Sequence, residues 1–214
     1  MRDDFIMQPK IYFAFKEIMS HSLPRIGFIS SVMNIDPETI KKTEILKTDL
    51  KKVHADDKLG ILDVRVNLED HTEIDIEIQI AKFKAWADRT LFYLSKMYSD
   101  QMVEGQEYDT VKKCVNISIL DFNLFEDTTD YFSRFLLMEQ KRHTLYTDKF
   151  EFNVIELPKI PKNIPENNSM LSWAKFIKAE SREEIEKLNM DKYLGSAYEC
   201  LEKISADKQK RLEY

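Results

Sequence analysis

The sequence predicts an α/β (α+β) domain, a mixed β-sheet flanked by helices with a helical C-terminal appendage, and three observations predict it. Apolar residues recur at helical spacing over 7–20 and again over 81–104. Between them, 61–68 and 73–80 alternate apolar and polar with a period of two. Past a cluster of prolines, the run 182–212 returns to a charged helical pattern. Helices, then a hairpin, then a helix, strands and helices is the element order of a sheet covered by helices.

The first helix is expected over 7–20, with Pro9 at a starting position where its missing N–H costs nothing. Further helix is expected over 23–33 and, after Asp36-Pro37, over 37–42. The stretch 41–58 carries six lysines and four acids and reads as a solvated face. In the first strand Leu62, Val64, Val66 and Leu68 share one side. In the second, Ile74, Ile76, Ile78 and Ile80 face one way and Glu73, Asp75, Glu77 and Gln79 the other. The polar turn Glu69-Asp70-His71-Thr72 makes the two an antiparallel hairpin. Opposed residues of a hairpin project to the same side, so Asp63 must lie across from Glu77 or Gln79.

The helix over 81–104 shows two stripes: Phe83, Ala87, Leu91, Leu94, Tyr98 and Gln101, read as the buried one, and Trp86, Arg89, Tyr93 and Lys96 beside it. Gly105 is a candidate C-cap. Strands follow at 112–121, 130–139 and 149–157. The organisation expected is a core over 1–157, a proline-rich connector over 158–168 and a helical appendage over 169–214.

Composition removes whole classes of chemistry. A 214-residue chain with four scattered glycines has no phosphate-cradling loop, no dinucleotide fingerprint and no nucleophile elbow. Cys114 and Cys200 stand alone, and the four histidines lack metal-ligand spacing, so neither a zinc site nor a disulfide framework is legible. Two acids follow Met1-Arg2 where a secretory signal carries positive charge, and no apolar run approaches the roughly 18 residues of a membrane span, so an intracellular, cytoplasmic protein with no membrane partner is expected. The net charge of −6 argues against a broadly basic surface and leaves room for a local patch.

Carboxylates are the remaining tools. Asp63 on one strand, with Glu77 and Gln79 on its partner, gives Asp-x13-Glu-x-Gln. Two carboxylates on one sheet face are hard oxygen ligands for Mg²⁺, which keeps several waters and can activate one of them against a phosphodiester. Gln79 could orient that water. The plain alternative is the solvent face of a half-exposed hairpin. Trp86, Arg89, Tyr93 and Lys96 combine stacking faces with phosphate donors, or else pack against the N-terminal helices with Arg89 paired to an acid. Gln101 is either a satisfied core amide or a support to the site.

Leu59-Gly60-Ile61-Leu62-Asp63-Val64, Ile76-Glu77-Ile78-Gln79, Tyr93-Leu94-Ser95-Lys96-Met97-Tyr98 with Gln101, Gly105 and Tyr108, and Ile117-Ser118-Ile119-Leu120-Asp121-Phe122 occur in that order. With Phe13-Ala14-Phe15-Lys16 and Tyr146-Thr147-Asp148-Lys149, the chain closely resembles the Rpn family of recombination-promoting nucleases and putative transposases, in the PD-(D/E)XK nuclease superfamily. The resemblance implies a nuclease-like mixed sheet and metal-dependent DNA endonuclease activity linked to recombination or mobile DNA, with DNA as partner. Its cofactor would be Mg²⁺, with Ca²⁺ or Mn²⁺ as alternatives. Asp63 and Glu77 match the two metal-binding acids, and Gln79 stands where the wider superfamily has lysine. Members typically carry Asp in the first helix where this chain has Tyr12. Glu17 is then a candidate to compensate, with Arg89 and Gln101 as further supporting residues. A catalytically silent DNA-binding or protein-interaction module on the same fold is the competing expectation. Oligomeric state stays open, a homodimer included.

Overall fold

The computed structural model describes residues 5–50, 62–162 and 168–214. Helices α1 (Tyr12–Ser20) and α2 (Ser22–Met33) come first, followed by a 3₁₀ turn at Pro37–Thr39 and strand β1 (Thr43–Leu46). The hairpin is β2 (Val64–Leu68) and β3 (Glu73–Gln79). Helix α3 (Trp86–Ser99) leads to β4 (Cys114–Leu120), β5 (Phe132–Met138) and β6 (Leu145–Glu156). Helices α4 (Ser169–Lys178), α5 (Arg182–Glu186) and α6 (Lys192–Ala206) complete the chain.

The six strands form one mixed sheet in the order β1-β2-β3-β4-β6-β5. β3, β4 and β6 run parallel and the other pairings are antiparallel, so the carboxyl ends of the three central strands lie together. One face carries Val64, Val66, Ile74, Ile76, Ile78, Val115, Ile117 and Ile119, and α1, α2, α4 and α6 cover it. On the other face α3 buries two smaller clusters, Tyr93, Leu94, Met97 and Cys114 with Leu50 and Leu62, and Trp86 with Leu120, Phe122 and Val154.

Several expectations change. The 37–42 helix shortens to the 3₁₀ turn, and the lysine-rich stretch contributes edge strand β1, which holds one charged residue, Glu44; its part over 51–58 lies outside the described residues. Helix α3 starts five residues later than expected and turns the other stripe inward. Trp86, Thr90, Tyr93, Leu94 and Met97 are buried, whereas Phe83, Ala87 and Leu91 are exposed. Helix α3 is capped at Asp100, and Gly105 adopts φ +86° in the loop beyond it. Ile80 is exposed past the end of β3, and Leu62 packs under α3 because the alternation of β2 begins only at Val64.

The helices expected as an appendage lie in the main core. An edge-to-face chain of rings, Phe15 to Phe28 to Trp173 to Phe176, ties α4 to α1 and α2 with centroids 5.8–6.2 Å apart. Helix α6 packs so closely on α2 that a Cβ at Gly27 would stand 2.3 Å from Tyr193 Cβ. Only glycine permits that approach.

Candidate active site

The site lies where β2 and β3 end against α3. The ladder pairs Val64 with Ile76, and one step further on Asp63 lies across from Glu77. Asp63 sits in a bend just before β2 rather than at a ladder position, and its Oδ2 accepts the Ile78 N–H at 2.9 Å. That amide lies past the end of β2, so the carboxylate satisfies a donor the strand no longer can.

The polar side of β3 is buried, not solvated. Asp75 is 1% exposed and Glu77 fully buried, because α3 lies across them. Register brings Asn116 beside Asp75 and Ser118 beside Glu77. A hydrogen-bond chain follows: Trp86 Nε1 donates to Ser118 Oγ at 3.1 Å, Ser118 Oγ to Asn116 Oδ1 at 2.8 Å, and Asn116 Nδ2 to Asp75 Oδ2 at 2.9 Å. This polar strip runs between the two apolar clusters under α3, with Cys114 at one end and Leu120 at the other. Asp75, Asn116 and Ser118 were not singled out in the sequence. Their signal was an acid and two polar residues inside otherwise apolar strands.

Charge in this strip is under-compensated. Arg89 Nη2 stands 2.9 Å from Glu77 Oε2 and its guanidinium 5.2 Å from the rings of both Trp86 and Tyr93. Yet both Glu77 oxygens and Asp75 Oδ1 are buried with no hydrogen bond of acceptable geometry, so the Arg89 contact is an ion pair outside hydrogen-bonding alignment. Burial, then repulsion from Asp75 and Asp63, pushes the Glu77 carboxyl far above the usual range, with Arg89 pulling the other way. Burial raises Asp75 as well, against the Asn116 hydrogen bond. Asp63 is raised by burial and drawn back by the Ile78 amide, Arg89 and Lys16.

Other buried acids on the sheet behave differently. Glu151 contacts both Lys113 at 2.6 Å and Arg134 at 2.8 Å, and these outweigh its burial and hold it low. Glu156 contacts Lys159 at 2.8 Å and accepts the Leu124 and Phe125 amides. Glu151 and Glu156 each have a cation and further hydrogen bonds, whereas Glu77 has the single Arg89 contact and Asp75 the single Asn116 hydrogen bond.

The other candidate residues fall in different places. Gln79 continues the polar side of β3 and donates to the Ala81 carbonyl at 3.0 Å. Lys16 on α1 is near enough to act electrostatically on Asp63, and its Nζ donates to Tyr12 Oη at 3.2 Å. Tyr12 is 46% exposed. The Glu17 carboxylate is held by Lys210, near the end of the chain. Gln101 clasps Lys112, accepting its N–H at 2.8 Å, and donates to Cys114 Sγ at 3.0 Å. It fastens α3 to the start of β4, four residues before the level of Glu77. Lys96 is half-buried on α3, and Trp86 and Tyr93 pack on the sheet rather than on the N-terminal helices.

Among the described residues no three His, Cys, Asp or Glu side chains form a ready metal nest. Mg²⁺ does not require one, since it retains several waters and takes one or two carboxylates. Asp63 and Glu77 offer oxygen ligands of the right kind for a hard cation, which would have to displace or share the Arg89 contact at the buried Glu77 Oε2.

No helix among the described residues is long and apolar enough to cross a membrane. No curated protein and no solved structure matches the chain. The family model of the PD-(D/E)XK nuclease family transposases matches residues 9–214, nearly the whole chain and every element of the fold. With a mixed sheet flanked by helices and acids gathered at the end of its hairpin, the chain belongs to the PD-(D/E)XK nuclease family transposases.

Proposed function

We propose that the protein is a metal-dependent DNA endonuclease acting in recombination or on mobile DNA, with Asp63 and Glu77 as its metal-binding acids. The observation that carries this reading is the pair of buried Glu77 oxygens without hydrogen bonds, across the hairpin from Asp63. A bound Mg²⁺ would supply Lewis-acid stabilisation of phosphodiester charge and an activated water. The chain's own residues do the rest. Asp63 is oriented by the Ile78 amide, Asp75 is braced by the chain from Trp86, and Arg89 offsets part of the acid charge. Gln79 can position water or phosphate by hydrogen bonding, and being neutral it cannot offset oxyanion charge.

Two observations favour the second reading, a catalytically silent DNA-binding or interaction module. Arg89 already contacts Glu77, and Tyr12 stands where the family resemblance expects an acid. Incubating supercoiled plasmid with the protein and Mg²⁺, Mn²⁺ or Ca²⁺ separates the two. Nicking or linearisation that disappears in Asp63→Ala supports the nuclease. Plasmid binding without cleavage under all three cations supports the silent module.

A further inference from the structure

We propose that a lysine-lined groove at the carboxyl end of β6 holds the phosphodiester backbone of the DNA strand presented to the Asp63–Glu77 site. This rests on the nuclease reading and adds the path of the substrate. The groove has a volume of about 870 Å³, and its lining includes Lys162, Lys175, Lys178 and Lys187.

Its acids are engaged within the protein. Glu180 is held by Lys10 at 2.9 Å, and Glu184 Oε2 accepts the Glu180 N–H at 2.9 Å. Lys187 pairs with Glu183, and Lys175 donates to the Lys162 carbonyl. The ammonium groups of Lys162 and Lys178 make no hydrogen bond or ion pair with any described residue. Burial and the neighbouring Lys178 both destabilise the charged form of Lys175, so the groove floor concentrates positive charge that an anion would relieve. Ile160, Pro161 and Leu188 add an apolar wall.

Position makes this charge relevant to the site. Ligands of open α/β sheets bind beyond the carboxyl ends of parallel strands, where both features lie. The Asp121 N–H donates to the Gln79 carbonyl at 2.9 Å, and Lys10 bridges Asp121 at 3.0 Å to Glu180 on the groove rim. Two strand spacings, about 10 Å, separate β3 from β6. The groove lies on the α4 side of that edge and Glu77 faces α3, so a backbone that engages both crosses the carboxyl edge of the sheet. The Lys162 and Lys178 ammonium groups are the ones with no hydrogen bond or ion pair to a described residue, and phosphate oxygens are the acceptors they suit.

The test is binding of a fluorescent duplex of about 30 base pairs in EDTA, across a salt series. Lys162→Glu/Lys178→Glu is compared with Lys203→Glu/Lys208→Glu, the same charge change on the exposed C-terminal side. We expect the groove pair to lose about tenfold or more in affinity and to reduce the salt slope by about 2, with the control pair changing it by under about 0.5. Lys162→Gln/Lys178→Gln serves if charge reversal impairs folding. Equal losses in both pairs would overturn the groove, as would a wild-type protein that binds single-stranded RNA or an acidic peptide but not duplex DNA. Selective loss in a protein that never cleaves would sustain the groove and sink the nuclease reading instead.

Discussion

The Arg89 guanidinium stands 2.9 Å from the fully buried carboxylate of Glu77, and among the described residues no other cation is within ion-pair distance of Asp63, Asp75 or Glu77. Removing it leaves the acid strip without a contacting counter-ion. Arg89→Met should therefore destabilise the metal-free protein by about 2 kcal/mol near pH 10, above the Glu77 carboxyl at about 9, discounted from a fully buried pair because Arg89 is partly exposed and Glu77 can take a proton. Near pH 5, where Glu77 is protonated, the loss should fall below about 1 kcal/mol. Urea unfolding at both pH values measures it. Equal losses at the two would mean that Arg89 serves by packing between Trp86 and Tyr93.

Asp75 and Glu77 give the metal-free protein a specific pH dependence. Burial raises both above their unfolded values near 4, so from about pH 4 upward to the raised values the folded state holds more protons than the unfolded one. Stability accordingly falls as pH rises through that window. A decline of roughly 1–3 kcal/mol from about pH 5 to pH 8 is expected, and Asp75→Asn should flatten it. Glu151 works in the opposite sense. Its depressed carboxyl contributes stability that is lost only as pH falls below the ordinary carboxylate range, outside this window. Stability that is flat or rising over the interval would contradict the under-compensated strip.

Part of this strip was legible in the sequence and part was not. The alternation of Ile74, Ile76 and Ile78 fixed the apolar face of β3, and hairpin parity put Asp63 across from Glu77. The same alternation makes Asp75 look solvated, because period-two patterning shows which side is polar without showing what covers it. Helix α3 covers it, and the choice between the stripes of that helix was also hidden. Phe83, Ala87 and Leu91 are as apolar as Trp86, Tyr93 and Met97, but only the second stripe brings Arg89 to Glu77 and Trp86 Nε1 to Ser118. Electrostatics that depend on long-range packing decided the matter. Strand β1 escaped because the lysine-rich stretch around it reads as a solvated loop.

The close approach of α2 and α6 predicts how firmly the C-terminal helices are built in. Gly27→Ala would drive a Cβ against Tyr193 Cβ, part of the side-chain stem and unable to swing aside. The expected cost is about 2–3 kcal/mol, as for overpacking in a tight core. Thermal melts should show one cooperative transition shifted down by roughly 5–10 °C for a chain of this size. Two separate transitions would instead indicate that α4 and α6 unfold independently of the sheet.

The last prediction concerns Tyr12, whose side chain is 46% exposed beside Lys16, so an acid there carries no burial penalty. Because Lys16 acts on both Tyr12 and Asp63, a carboxylate at position 12 would extend the acid group toward solvent. Tyr12→Asp should cost less than about 1 kcal/mol in stability, the range of exposed substitutions. It should also tighten Mg²⁺ binding, since ligand charge sets affinity for a hard cation. At ten times the dissociation constant, bound Mg²⁺ contributes about 1.4 kcal/mol, which raises the melting temperature by roughly 3–6 °C. The variant should reach that shift at lower Mg²⁺ than wild type, and Asp63→Ala should abolish it in both. If Lys16 captures the new carboxylate, Tyr12→Asp/Lys16→Met should show the tightening that the single variant lacks. A midpoint unchanged in both variants would exclude position 12 from the site.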